Sequence, residues 1–339
     1  MEKNFSFQWH LTDLCNLRCQ HCYQTVFNNQ RDLSLDENLN ILYDVVINLK
    51  KNGYDSLSIN LTGGEPLISN LTYQLLDNIT NDARFSLVKE VNIITNGLFI
   101  ERLHPYLNNS LLKKIKISLE GPTREVNDAL RGIKVFDKVI ANIKLLPPEK
   151  VIFMFTLAHY NYRHLEDMVE LAIKTGVKGL ILERFVPLGR GKNIIEKTLN
   201  AGQWYKCLEF ISQNFQMPVF ELLPYKAFWI DLEKKDCYGA TCNLGDESMC
   251  LMPDGVVYPC RRLPEVLGNL QAESFAKVIK RLSEYRSQFD RRNLKGKCQH
   301  CEIPECIGCR ATALALEGDA FADDKQCFLS NQENSFSTS

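Results

Sequence analysis

Strand-like and helix-like segments alternate along the chain from Phe5 to about Gly191, and this alternation most constrains the fold. Parallel strands joined by helices form a sheet with helices outside it, so six such β-α units predict a full or partial (β/α) barrel. Ligands bind such sheets at the carboxyl ends of the strands, so we expect the residues that follow each strand to form the site. The strand-like segments are FSFQWHL, SLSINL, VNIIT, KIKISL, VIFMFTL and GLILERF.

The first helical segment, SLDENLNILYDVVINLKKNG, contains its own start and stop signals. Ser34 and Glu37 have the spacing of a capping box, in which each side chain accepts a hydrogen bond from the other residue's backbone N–H. Apolar residues recur at helical spacing after it, and Gly53 suits the end of a helix. The sequence thus predicts one amphipathic helix between the first and second strands.

The character of the sequence changes after about Asp236, where cysteines become frequent and apolar periodicity is mostly lost. One helical stretch, SFAKVIKRLSEYRSQF, is the exception. Such a region has too little apolar periodicity to form a core alone, and bound metal would supply the missing stability. We therefore predict a barrel domain over residues 1–235, a small cysteine-rich domain over residues 236–330 and a flexible tail over residues 331–339.

Composition limits the classes of function and partner. The chain has 339 residues, of which 45% are apolar and 24% charged, and its formal net charge is −1. Such a protein has no global field that attracts nucleic acid or an anionic membrane, and we expect neither as a partner. The N-terminus MEKNFSFQWHL lacks the regions of a signal peptide, and no apolar run approaches the ~20 residues that span a bilayer. We expect a cytoplasmic protein, in which clustered cysteines bind metal or act in redox chemistry.

Three cysteines follow the first strand directly, in the stretch LTDLCNLRCQHCYQ. Cys15, Cys19 and Cys22 have the spacing C-x3-C-x2-C. A structural zinc site needs four ligands, and the fourth would be His21 or a distant residue. A four-iron cluster held by three thiolates instead leaves one iron open to a chelating ligand. This motif alone leaves both interpretations open, and the next motif favours the cluster.

The turn LTGGEP, from Leu61 to Pro66, ends the second strand. Gly63 and Gly64 allow the backbone to approach a ligand closely. The carboxylate of Glu65 and nearby carbonyl groups can accept hydrogen bonds from an amino group. The same letters could form an ordinary loop, but after a three-cysteine motif and one β-α unit they indicate a site for a ligand that carries an amine.

Together, CNLRCQHCYQ and TGGEP resemble the radical S-adenosylmethionine (SAM) superfamily. The resemblance covers about the first 190 residues and implies a partial (β/α)6 TIM-like barrel. It also implies that Cys15, Cys19 and Cys22 hold a [4Fe-4S] cluster whose open iron chelates SAM. In this family the reduced cluster splits the sulfonium to give a 5′-deoxyadenosyl radical, which abstracts a hydrogen atom from the substrate.

Four short motifs lie where this family has its SAM contacts, namely TNG, SLEG, LRG and ERFVPLGRG. Three of the residues they suggest also have ordinary interpretations, because Asn96 fits a turn, Ser118 a strand end and Arg131 a surface charge. A buried carboxylate nevertheless favours an arginine fork, and no residue is assigned as the catalytic acid or base. By resemblance, the SAM contacts are Gly63, Gly64 and Glu65 at the amino group, Ser118 and Arg131 at the ribose or carboxylate, and Asn96 nearby.

The C-terminal cysteines resemble the SPASM extension of radical SAM enzymes. Cys242 and Cys260 have the spacing C-x12-G-x4-C, and GCRATA and GD precede the last cysteine. Spacing alone would also suit a zinc ribbon, and the spacings at Cys306 and Cys309 are one residue shorter than the family often has. We expect Cys207 and Cys250 to pack as small apolar residues. By resemblance, one auxiliary [4Fe-4S] cluster is held by Cys242, Cys260 and Cys309, with Cys237 as a candidate fourth ligand, and the other by Cys298, Cys301, Cys306 and Cys327.

SPASM enzymes mostly modify peptides or proteins, and a smaller branch modifies tetrapyrroles. We therefore predict a maturase of a ribosomally synthesised peptide or a protein, which crosslinks, epimerises or oxidises it, with a tetrapyrrole side chain as the alternative substrate. Sulfatase maturation is a third possibility, disfavoured by Arg261 at a position where that branch typically has an aspartate. Because the chain begins almost at its first strand, we expect no leader-recognition domain.

The resemblance also implies partners, namely a peptide or protein substrate and an electron donor such as flavodoxin or ferredoxin. The basic run KVIKRLSEYRSQFDRRNLKGK could receive an acidic leader peptide, although such a run is more typical of a solvated helix face. An alternative from another class of function is a non-catalytic electron carrier or scaffold with the same fold. The TGGEP turn disfavours it, because a scaffold has no need of a site for the SAM amine.

Overall fold

The structure is a computed structural model that describes residues 2–331. Of the predicted tail, residues 332–339 lie outside the described part. The strands are β1 Asn4–His10, β2 Ser56–Thr62, β3 Val88–Thr95, β4 Leu112–Ser118, β5 Val151–Leu157, β6 Gly179–Arg184, β7 Tyr225–Asp231, β8 Asp236–Thr241, β9 Ser248–Leu251, β10 Val256–Tyr258 and β11 Gly268–Asn269. The helices are α1 Leu35–Lys51, α2 Asn70–Asn81, α3 Arg124–Arg131, α4 Val135–Asn142, α5 Leu165–Thr175, α6 Ala201–Phe215, α7 Phe275–Ser287, α8 Gly296–His300 and α9 Arg310–Glu317.

All strands belong to one sheet in the order β11-β10-β9-β1-β2-β3-β4-β5-β6-β7-β8. β1 to β6 are parallel neighbours in sequence order, and β1 and β6 do not pair with each other. The hairpin of β7 and β8 extends the edge at β6 in antiparallel pairing. The predicted α/β fold with a partial (β/α)6 barrel is confirmed, because the six parallel strands are present and the barrel stays open.

The predicted first helix is confirmed as α1. Ser34 is its N-cap, and both hydrogen bonds of the capping box with Glu37 are present. The backbone N–H of Ser34 donates to the Glu37 carboxylate over 2.8 Å, and the Ser34 hydroxyl accepts from the backbone N–H of Glu37 over 3.3 Å. These local hydrogen bonds satisfy donors that the first turn of a helix leaves free, so the helix begins where the sequence predicts.

The cysteine-rich region is joined to the barrel through the sheet itself. β9 pairs in parallel with β1, and β10 and β11 continue that edge in antiparallel pairing. The predicted domain boundary at residues 235 and 236 lies in the turn between β7 and β8, and it remains a prediction. A second, smaller core forms beyond the sheet, where the rings of Phe289 and Phe321 stack with centroids 4.7 Å apart.

The carboxyl ends of the parallel strands converge on one side of the sheet. Inward-facing positions on these strands alternate with buried positions that pack under the outer helices, as the pleat of a strand requires. The segments that follow β1, β2, β3, β4 and β6 therefore meet above the barrel. Across residues 2–331, no helix has both the length and the apolar character needed to cross a bilayer.

Candidate active site

The segment that follows β1, residues 12–24, is called the cysteine loop here, and the Gly-Gly-Glu turn after β2 holds it. The backbone N–H of Gly64 donates to the carbonyl of Thr12 over 2.7 Å, and that of Glu65 donates to Leu14 over 2.9 Å. A Cβ atom on Gly64 would lie 2.3 Å from the carbonyl oxygen of Leu14. The close approach predicted for these glycines is therefore an approach to the cysteine loop.

Two other segments, which follow β4 and β6, hold the same loop. The backbone N–H of Gln20 donates to the carbonyl of Leu130, near the end of α3, over 2.9 Å. After β6, the backbone N–H of Gly191 donates to Cys22 over 3.0 Å. Gly189 has a φ of +52°, and a Cβ atom there would lie 2.2 Å from the carbonyl oxygen of Tyr23. Because three separate segments contact it, the cysteine loop has little freedom to move.

Cys15, Cys19 and Cys22 are half-buried and line a cavity of about 550 Å³ in the barrel mouth. Burial raises the pKa of all three thiols, that of Cys15 to about 11, and Cys19 further raises the pKa of Cys15 and of Cys22. Three thiolates so close together need positive metal to neutralise them. Their number, grouping and exposure to a cavity fit a four-iron cluster with one open iron.

Most of the predicted SAM contacts come together in this cavity. They lie at or after the ends of three different strands, β2, β3 and β4, so their grouping depends on the strand order. Ser118 is the last residue of β4, and Arg131 is the last residue of α3. That these residues contact SAM remains a prediction. The predicted contacts that line the cavity are Gly63, Gly64, Asn96, Ser118 and Arg131.

The carboxylate of Glu65 lies behind the cavity lining and is fully buried. It accepts hydrogen bonds from the Thr95 hydroxyl over 2.7 Å, from the backbone N–H of Asn96 over 2.7 Å and from that of Leu67 over 3.0 Å. The Glu65 side chain therefore joins the ends of β2 and β3. With three protein donors in place, it positions the Gly-Gly turn and Asn96 around the cavity.

Sequence reasoning missed Glu120 as a site residue. Its carboxylate is 1% exposed and accepts from Arg131 Nη1 over 3.1 Å and from the backbone N–H of Thr156 over 2.9 Å. His21 Nε2 lies 3.2 Å from Glu120 Oε1, the oxygen that also accepts from Arg131. His21, considered above as a zinc ligand, therefore has another partner. Burial alone would raise the pKa of Glu120, but His21 and Arg131 lower it overall. Glu120 belongs to the SLEG motif, which indicated a site residue, but its partners are visible only in the fold.

Arg131 is buried in this group, and its Nε donor is free. Its Nε atom is buried and has no hydrogen-bond partner among the described residues, while Nη1 is held by Glu120. Its charge acts on Cys19 and Cys15. Since a buried unpaired donor is costly, the geometry fits an arginine that is held ready for an anionic group in the cavity.

The first C-terminal group, Cys242, Cys260 and Cys309, lines the same cavity from the opposite side. Burial, followed by the charges of Cys309 and Cys260, raises the pKa of Cys242 to about 12, so the three thiols are close neighbours. These cysteines are far apart in the chain and are brought together by the β9–β10 hairpin and the start of α9. The three cysteines that are predicted to hold one auxiliary cluster are thus near one another.

Cys237 does not join this group. It is the second residue of β8, whereas Cys242 directly follows the end of that strand, five positions along the chain. Cys237 is 4% exposed in the main barrel core, whereas Cys242 packs against the smaller C-terminal core. The two cysteines therefore pack in different cores, and the ligand role of Cys237 remains a prediction. Cys207 and Cys250 are buried, as expected for packing.

The second C-terminal group contains Cys298, Cys306 and Cys327, which share charged neighbours. Lys226 Nζ lies 3.4 Å from the sulfur of Cys306 and acts electrostatically on Cys327. Asp324 acts on both Cys298 and Cys327. The fourth predicted ligand, Cys301, is half-buried directly after α8. The shared neighbours group Cys298, Cys306 and Cys327, whereas Cys301 is related to them only by its position three residues after Cys298. The ligand role of all four cysteines remains a prediction.

Two family models match the chain in these two regions. The radical SAM superfamily model matches residues 9–172, and the SPASM model, an iron-sulfur cluster-binding domain, matches residues 242–302. The chain belongs to the radical SAM superfamily, and within that class it carries a SPASM domain. It is therefore a radical SAM enzyme with a SAM-binding [4Fe-4S] cluster and auxiliary iron–sulfur clusters, and the cysteine groups and the free donor of Arg131 fit these cofactors.

Similar proteins include enzymes of two kinds. An AdoMet-dependent heme synthase of Methanosarcina barkeri is 27% identical over 345 residues, which cover 94% of this chain and 95% of that protein. AlbA of Bacillus subtilis, a protein of antilisterial bacteriocin subtilosin biosynthesis, is 27% identical over 323 residues, which cover 90% of this chain and 66% of AlbA. A structure of anSMEcpe with bound AdoMet and Cp18Cys peptide matches with a TM-score of 0.67 at 19% identity, covering 94% of this chain and 93% of that one, and shows the shared fold.

Proposed function

We propose that this enzyme modifies a peptide or protein by crosslinking, epimerisation or oxidation, as a peptide maturase. The observation that carries the proposal is one cavity that extends from the cysteine loop to Cys242, Cys260 and Cys309. A substrate in this cavity would lie between two redox groups, with room for a side chain and its neighbouring backbone. The bacteriocin biosynthesis protein AlbA and the peptide-bound structure of the same fold support the peptide class.

The residues of the cavity have distinct proposed roles. Cys15, Cys19 and Cys22 hold the SAM-binding cluster, which with SAM supplies a 5′-deoxyadenosyl radical for hydrogen abstraction. Glu120 holds Arg131 so that the free Nε donates to the SAM carboxylate or ribose. A flavodoxin or ferredoxin is the proposed electron donor. The other proposed SAM contacts are Gly63, Gly64, Asn96 and Ser118, with Glu65 positioning them. The proposed auxiliary ligands are Cys242, Cys260 and Cys309 in one group and Cys298, Cys301, Cys306 and Cys327 in the other.

Modification of a tetrapyrrole side chain is the second candidate function. The observation that favours it is the similarity to the heme synthase over nearly the full length of both proteins. Tetrapyrrole propionates are anionic, and several cationic side chains line the cavity. The two candidates use the same cofactors and the same cavity and differ only in the substrate that enters it.

One experiment tests the reaction class and distinguishes the substrates. Anaerobically reconstituted protein with dithionite and SAM is expected to make 5′-deoxyadenosine, and the triple variant Cys15→Ala, Cys19→Ala, Cys22→Ala is expected to make none. Peptides encoded by short reading frames beside the gene and a porphyrin with propionate side chains are then added separately, and their masses are followed. A mass change in a peptide that requires both SAM and the intact enzyme supports the proposal. Conversion of the porphyrin with all peptides unchanged would replace it with the second candidate.

A further inference from the structure

The cationic side chains of the cavity differ in whether they have an acceptor. Arginine and lysine side chains from four different segments reach the cavity lining. For all but Arg261, the structure shows an acceptor within hydrogen-bond distance. Those acceptors are Glu120 for Arg131, Asp324 for Arg184, the carbonyl of Leu223 for Lys226 and the carbonyl of Arg184 for Arg262.

Arg261 has neither a hydrogen-bond acceptor nor an ion-pair partner among residues 2–331. Its guanidinium carbon lies 4.0 Å from the centroid of the Tyr23 ring, and its Nε atom is buried without a partner. The aromatic face supports the guanidinium and leaves its N–H groups free, which is costly unless a ligand accepts them.

The position of Arg261 is where a substrate would lie. It directly follows Cys260, one of the C-terminal cavity cysteines, and it rests on Tyr23, which directly follows Cys22 of the cysteine loop. Arg261, Tyr23, Cys22 and Cys260 all line the same cavity. A group that binds Arg261 would therefore lie between the two cysteine sites.

We propose that Arg261 is a specificity-determining residue that binds a carboxylate of the substrate. A planar guanidinium matches a carboxylate with two parallel hydrogen bonds, which lysine cannot reproduce. This inference rests on the proposed function only in requiring that the substrate enters this cavity. An acidic side chain or C-terminus of a peptide and a propionate of a tetrapyrrole present the same chemistry to the fork.

Two matched pairs of probes test the inference with the iron-loaded enzyme and SAM under anaerobic conditions. The peptide pair is a fluorescently labelled, amidated hexapeptide with a central Glu and the same peptide with Gln. The porphyrin pair is a porphyrin with propionate side chains and its methyl ester. Dissociation constants are measured for the wild type, Arg261→Met and Arg261→Lys, with Arg262→Met as the control because Arg262 lines the same cavity but already has an acceptor.

We expect the wild type to bind the carboxylate member of at least one pair about ten- to a hundred-fold more tightly than its neutral match. Arg261→Met should lose this preference, Arg261→Lys should keep a fraction of it, and Arg262→Met should keep all of it. A preference confined to the porphyrin pair would support Arg261 while counting against a peptide substrate. No preference in either pair, or one that persists in Arg261→Met, would overturn the inference. A shift of an auxiliary cluster's reduction potential in Arg261→Met with unchanged probe preference would assign the charge to the cluster and also overturn it.

Discussion

Arg184, the last residue of β6, and Asp324, three residues before Cys327, form an ion pair that joins the barrel to the cysteine-rich region. Arg184 Nη2 lies 3.0 Å from Asp324 Oδ2, and both side chains are 2% exposed. The Asp324 carboxylate also accepts from the backbone N–H of Cys309 over 2.9 Å. Burial alone would raise the pKa of Asp324, but Arg184 and Lys226 lower it to about 2. One carboxylate thus fixes a barrel strand and a proposed cluster ligand together.

Replacing Asp324 with asparagine should destabilise the protein strongly, because it leaves the Arg184 charge buried and unpaired. We expect the free energy of unfolding to fall by about 3–5 kcal/mol and iron to be lost from the C-terminal region. Denaturant unfolding and iron analysis measure both effects. The matched control is the double variant Arg184→Met, Asp324→Leu, which removes both charges and should recover much of the stability. A single variant as stable as the wild type would contradict this account.

Gly64→Ala should displace the cysteine loop, because the new Cβ atom would lie 2.3 Å from the carbonyl oxygen of Leu14. Since the nearest atoms all belong to the backbone of Asp13 and Leu14, no flexible side chain can move away, and we expect loss of the N-terminal cluster and of 5′-deoxyadenosine formation. Iron content and product analysis provide the measurement. Gly202→Ala in α6 is the control, because a Cβ atom there has space and alanine favours a helix by roughly 0.5–1 kcal/mol. Equal iron content in the two variants would refute the steric argument.

Arg131→Lys should weaken SAM binding by about 1.5–3 kcal/mol, or roughly ten- to a hundred-fold, while iron content stays intact. Lysine can keep a charge near Glu120 but lacks the Nε donor that is free in Arg131. Titrating SAM into the reduced enzyme and following the electron paramagnetic resonance signal of the cluster measures the change. Arg124→Lys, in the same helix but 60% exposed and paired with Asp137, should bind SAM like the wild type. An unchanged midpoint in Arg131→Lys would remove Arg131 from the SAM site.

Cys237→Ala and Cys242→Ala should differ in iron content, although the two cysteines are close in the sequence. Because Cys237 faces the barrel core and Cys242 faces the cavity, we expect only Cys242→Ala to lower the iron content or alter an auxiliary-cluster signal. Cys237→Ala should instead cost about 1 kcal/mol of stability from the lost buried contacts. Iron analysis of anaerobically purified variants decides the question. Loss of a full cluster from Cys237→Ala would restore Cys237 as a ligand.

The contribution of Lys116, which faces the barrel interior, to stability should rise with pH above about 8. Lys116 Nζ donates to Asn60 Oδ1 over 2.7 Å, and burial, followed by the charge of Lys114, lowers its pKa to about 8. Above that pH the folded protein releases a proton that the unfolded chain keeps until about pH 10.4, so folding becomes more favourable. Relative to Lys116→Met, the wild-type free energy of unfolding should rise between pH 8 and 10 by less than about 1.4 kcal/mol per pH unit. The exposed Lys113→Met is the control, and parallel pH profiles for wild type and Lys116→Met would contradict the prediction.

Short-range patterns made most of the fold predictable. The six parallel strands, the capping box of Ser34 and Glu37, and the helix α7 all depend on residues within one or two turns or along one strand. Apolar periodicity and capping are steric and hydrogen-bonding properties of neighbouring residues, so they can be read before the chain folds. The grouping of Cys15, Cys19 and Cys22 is predictable for the same reason, because all three lie within one short loop.

The sequence was thus sufficient to predict the six parallel strands, the helices α1 and α7 and the chemistry of the cysteine loop. Three relationships were visible only in the folded chain: β9 pairs with β1, Cys237 packs in the barrel core, and Arg261 rests on Tyr23 without an acceptor among residues 2–331. Glu120 likewise became a site residue only when the fold placed Arg131 and His21 beside it. The physical reason is that strand register and the closing of long loops set which face and which distant neighbour a side chain meets, and no local pattern encodes either.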